Sequence, residues 1–140
     1  MTDFLAFSLR LAGAGLLLLA AIHTPLSRHL RWREQAALLT PINAAIFRVH
    51  NLFIVLVLIL MGLPCLLDPR ALLELSRAAL WGDWSLAAFW AIRLYCQLFV
   101  YEPALWRGLR REAAIHWWFV FVWIGLTALF ILCGLQQLAR

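Results

Sequence analysis

The chain has 140 residues, 65% of them hydrophobic, with a mean hydropathy of +0.86. A soluble domain is roughly 45–50% apolar, so this composition excludes an ordinary water-soluble enzyme and leaves no stretch long enough for a soluble catalytic domain. The formal charge of +5 comes from twelve arginines and no lysine; most of them lie in short stretches beside apolar blocks, which points to anionic lipid and not to nucleic acid.

The apolar residues fall in four blocks, each close to the roughly 20 residues that a helix needs to cross a bilayer. The first covers residues 4–26. Its Arg10 is close enough to one end to snorkel to the headgroups, and the run from Leu11 to Ile22 could pass for a signal peptide but reads as a membrane span. Gly13, Ala14 and Gly15 offer a small-residue surface for close helix packing. Pro25 is expected to bend or end the helix, because proline removes a backbone donor and crowds the preceding turn. Residues 27–40 mix Arg28, His29, Arg31, Arg33 and Glu34 with Leu30, Trp32, Leu38 and Leu39. That is the pattern of a short helix lying on an anionic leaflet.

Thr40-Pro41 is a helix start, with threonine as cap and proline in the first position, and the second span is expected over residues 41–67. Asp68-Pro69 is expected to cap a short helix over 69–80, and the Trp81-Gly82-Asp83-Trp84 run to turn at an aromatic belt. The third span is expected over 85–101, where Glu102-Pro103 breaks it. Residues 104–112 carry Arg107, Arg110 and Arg111, with a turn at Gly108, and the fourth span covers 113–135 with Trp117, Trp118 and Trp123 as anchors. The expected fold is therefore all-α. It is a single polytopic membrane domain over residues 1–140, a four-transmembrane-helix bundle with short interfacial helices.

Arginine bias sets the expected orientation. The first connection holds Arg28, Arg31 and Arg33 and the third holds Arg107, Arg110 and Arg111, whereas the middle one has only Arg70 and Arg77 against Asp68, Glu74 and Asp83. Positive loops stay inside, which places both termini outside an inner (cytoplasmic) membrane. Cys65 and Cys133 then share the external face, where a disulfide could join them; otherwise the three cysteines read as small buried hydrophobes without metal-ligand spacing.

Strongly polar residues recur in all four blocks, mostly at the end expected to face the cytoplasm. They are His23, then Arg48, His50 and Asn51, then Arg93, Gln97 and Tyr101, and finally His116. Helical phase selects among them. Arg93 and Gln97 are four apart and share a face with Phe89, Trp90 and Val100. Asn43, Phe47, His50 and Ile54 share a face from which Arg48 points away, and His116, Val120, Trp123 and Thr127 make one stripe. The expected inward set is His23, His50, Arg93, Gln97 and His116. Arg93 is the deepest; an arginine there costs about 2.5–3.5 kcal/mol, and no acid lies at its depth. It must either snorkel past Gln97 and Tyr101 or meet an anion or other acceptor.

Two uses of this set belong to a redox-cofactor subunit. His50 and His116, with His23 in reserve, could ligate the iron of a b-type haem whose propionates the arginines hold. Alternatively His, Arg, Gln and Tyr could donate to the carbonyls of a quinone. A zinc site is weaker, because no acidic ligand or H-x-x-H spacing supports it. The alternative is a structural or accessory subunit of a larger membrane complex, or a homo-oligomer, whose polar residues meet lipid headgroups or a partner. A lipid-modifying enzyme or transporter is a weaker third reading, since no nucleophile, carboxylate pair or phosphate-binding glycine loop lies at the polar end. No catalytic residue is expected.

Overall fold

The computed structural model of the chain describes residues 1–139, apart from the side chains of Thr24 and His29. The latter, counted above among the charges of the interfacial segment, lies outside the described residues. All regular elements among the described residues are helical: α1 (Thr2–His29), α2 (Trp32–Ala37), α3 (Pro41–Leu67), α4 (Arg77–Tyr95) and α5 (Arg110–Leu138). Short 3-10 turns occupy Ala71–Leu73 and Pro103–Leu105, and a π-helical turn, Cys96–Val100, continues α4. Three helices, α1 as far as Arg28, α3 and α5, are long and apolar enough to cross a membrane. Their outward residues include Phe7, Leu18, Leu52, Phe53, Leu60 and Phe121, an apolar surface that suits lipid and would be unstable in water.

The chain packs as two units, one of Phe7–Pro69 and one of Met1–Ala6 with the residues from Arg70 onward. In the first unit α1 and α3 approach through a pair of glycines. A Cβ on Gly13 would lie 2.6 Å from the Leu66 nitrogen and 2.7 Å from the Gly62 carbonyl oxygen, and one on Gly62 would lie 3.1 Å from the Gly13 oxygen. Gly15 has nothing within 4 Å of a Cβ placed on it. The expected small-residue surface is thus real at one position, and its complement sits on the other helix.

Two expected boundaries differ in this unit. Helix α1 runs through Pro25 to His29; a proline inside a membrane helix loses one backbone bond, which neighbouring groups can compensate. The chain reverses later, at Arg31, whose φ of 53° and ψ of 36° are left-handed. The interfacial helix is accordingly only the six residues of α2. Helix α3 begins where expected, with Thr40 Oγ1 accepting the Asn43 N–H at 3.5 Å.

The second unit departs further from expectation. Instead of a helix over 69–80 there is one 3-10 turn, and Ser76 caps α4 by accepting the Ala79 N–H at 3.1 Å. Helix α4 therefore runs straight through Trp81–Trp84, where a turn was expected. Asp83 lies fully buried there. Its Oδ2 accepts from Gln137 Nε2 at 2.7 Å, and the same amide donates to the Leu72 carbonyl at 3.0 Å. Gln136 donates to Thr2 Oγ1 at 2.8 Å. The last turn of α5 thus ties down the start of α4, the 3-10 turn and the start of α1. Gly134 makes room for the Trp84 indole, whose Nε1 would be 2.9 Å from a Cβ at that position. All three cysteines are thiols, so no disulfide joins Cys65 to Cys133.

Candidate functional site

The polar end of the second unit is built on α4, its π turn and α5. Trp90, Arg93 and Gln97 stand at i, i+3 and i+7, on one side of α4 and its extension. The widened turn is closed by the Tyr101 N–H reaching the Cys96 carbonyl at 3.4 Å, a five-residue step. Such turns shift helical phase locally and often mark functional positions. Here the turn carries Gln97, which is buried, as are His116, Val120 and Trp123 on the facing stripe of α5.

Trp123 is the hub. Its ring stacks on Trp90 at 5.1 Å and 13°, and on Phe119 at 5.4 Å and 19°. The Arg93 guanidinium lies 5.0 Å from its centroid and 5.7 Å from that of Tyr101, a cation held between two π faces. The Trp123 Nε1–H donates to Gln97 Oε1 at 3.4 Å, and Gln97 Nε2 lies 3.0 Å from His116 Nδ1. Trp106, from the connection before α5, stacks on the imidazole at 3.8 Å and 19°.

This network assigns protons. An indole N–H can only donate, so the Gln97 oxygen faces Trp123 and its NH2 faces His116. Nδ1 of His116 is then the acceptor, and the proton of the neutral ring sits on Nε2. His116 therefore offers an N–H and not a lone pair. Two further donors complete the set: Arg93 Nη1 and Trp90 Nε1 are buried and meet no acceptor among the described residues. Two N–H donors of this face thus have no acceptor among the described residues.

Gln97, His116 and Arg93, all expected at the site, are thus gathered around one tryptophan. Trp90 and Trp123 were visible as members of the faces that carry Arg93 with Gln97 and His116, and Trp123 also as an anchor, but not as donors. Trp106 carried no signal, because it lies in a connection and reaches His116 only once the chain folds back.

His23 and His50 belong to the other unit. His23 donates Nδ1–H to the Leu19 carbonyl at 3.1 Å and borders a groove of about 760 Å³ beside α2. His50 is exposed and does not line that groove, whereas Arg48 and Asn51 do. Residues 44, 47, 48, 51, 52 and 55 make the stripe of α3 that lines the groove. At about 100° per residue, that stripe is rotated roughly a quarter-turn from the expected one and leaves His50 outside it. No family model, curated protein or solved structure matches this chain.

Proposed function

We propose that the chain is a four-span subunit of an inner membrane, with both termini outside, whose α4–α5 face binds a small ligand through carbonyl or anionic oxygen. A quinone fits the donor set best. The observation that carries the reading is the pair of buried, unpartnered donors, Arg93 Nη1 and Trp90 Nε1, beside an imidazole that also presents N–H. A buried donor without an acceptor costs about 1–3 kcal/mol, more when charged. A ligand oxygen removes that cost. Haem suits His116 less well. Iron needs the Nε2 lone pair, and the bond from Gln97 gives that nitrogen the proton.

The test is a titration of the purified protein in mild detergent with a short-chain quinone, followed by quenching of tryptophan fluorescence. Quenching should saturate. Arg93→Met should weaken it about ten- to a hundredfold, the equivalent of roughly 1.5–3 kcal/mol for a hydrogen bond to a charged group, and Arg93→Lys should recover part of the loss. Non-saturating quenching, unchanged in Arg93→Met, overturns the reading. A Soret band on adding haem that vanishes in His116→Ala would transfer the site to haem.

A further inference from the structure

The groove in the first unit is a separate site. It opens among the end of α1, helix α2 and the first half of α3, and its volume of about 760 Å³ is within the roughly 300–1,000 Å³ typical of small-ligand sites. Arg33, Arg48, His23 and Asn51 supply its polar groups, and Phe47 and Leu52 are among its apolar walls. No carboxylate lines it. Nearby Glu34 is paired with Arg31, and neither Arg33 nor Arg48 has an acidic partner among the described residues. Trp32 fixes the floor, its ring meeting His23 edge-on at 6.4 Å and Phe47 at 5.9 Å.

We infer that this groove binds an anionic phospholipid. Arg33 and Arg48 take the phosphate, Asn51 donates to a headgroup or ester oxygen, and the α3 wall receives the first methylenes of an acyl chain. Guanidinium groups match phosphate oxygens two at a time. A groove that combines two unneutralised cations with an apolar wall, on a chain with three helices apolar enough to cross a bilayer, selects a charged lipid over a zwitterionic one. A lone phosphate ion would satisfy the arginines and leave the wall unused.

Native mass spectrometry of the full chain released from detergent decides the matter. With phosphatidylglycerol, phosphatidylcholine and inorganic phosphate supplied separately, one phosphatidylglycerol should be retained, phosphatidylcholine should be lost, and millimolar phosphate should not displace the lipid. At about 1 kcal/mol per arginine, the double substitution Arg33→Gln/Arg48→Gln should weaken retention roughly thirtyfold. Ala37→Trp, at an exposed position bordering the groove, should also weaken it without any change of charge. Circular dichroism confirms that both variants fold. Equal retention of phosphatidylcholine, full displacement by phosphate, or an identical loss in Arg110→Gln/Arg111→Gln overturns the proposal.

Discussion

Trp123 has one donor and no acceptor, so its bond to Gln97 leaves the amide a single orientation and His116 a single neutral tautomer. This yields a direct prediction. In protein labelled with 15N-histidine, His116 should show a bare Nδ1 and a protonated Nε2, the signal being assigned by its loss in His116→Gln. Trp123→Phe keeps a ring to stack on Trp90 and Phe119 but frees the amide to rotate, so the resonance should move toward a tautomer mixture. A protonated Nδ1 in the native protein sinks the assignment. Much of this site is legible in the sequence, because depth and helical phase together isolate Arg93, Gln97 and His116. The hydrogen-bond order is not, since it depends on which ring reaches the amide across two helices. His50 shows the limit of phase arguments: the face of α3 that lines the groove carries Arg48 and Asn51, and His50 lies outside it.

Among the elements, the close approach of α1 and α3 rests on two residues without side chains. Gly13→Leu must force backbone apart at Leu66 and Gly62, so it should destabilise the protein by about 1–3 kcal/mol, whereas Gly15→Leu meets open space and should be neutral. Thermal unfolding in detergent, followed by circular dichroism, checks both, and equal midpoints would refute the packing. A second element-scale prediction concerns the tie at the end of α5. Gln137→Leu removes the donor shared by Asp83 and the Leu72 carbonyl and should cost roughly 1–3 kcal/mol by the same measurement, because the groups it served stay buried. The start of α3 was readable from Thr40-Pro41, whereas the start of α4 at Ser76 was not read from the sequence, because Gly82-Asp83 locally resembles a turn. Within that helix Asp83 is satisfied by Gln137, 54 residues away, a contact no local pattern contains.

For the whole molecule, the number of membrane crossings decides where the two termini lie. Three helices qualify by length and apolarity, and α4 does not. Three crossings would put the termini on opposite sides; a fourth along α4 would put them on the same side. Length favours the fourth. The 19 residues of α4 and the 5 of its π turn make 24, about 36 Å at 1.5 Å per residue, against a hydrocarbon core of about 30 Å. What disqualifies α4 by composition is largely Asp83 and Arg93, and both are sheltered by α5: one accepts from Gln137, and the other lies against Trp123. Polar groups turned toward a neighbouring helix burden a span far less than groups turned toward lipid. Four crossings and both termini outside are therefore the expected outcome. Alkaline phosphatase fused to either end should be active, and green fluorescent protein fused to either end should be dark. Activity at one terminus and fluorescence at the other would establish three crossings and remove α4 from the membrane. Because the expected orientation follows from a few arginines, replacing Arg107, Arg110 and Arg111 with glutamine should produce a mixed population in the same assay. A native-like result would mean that some other feature orients the chain.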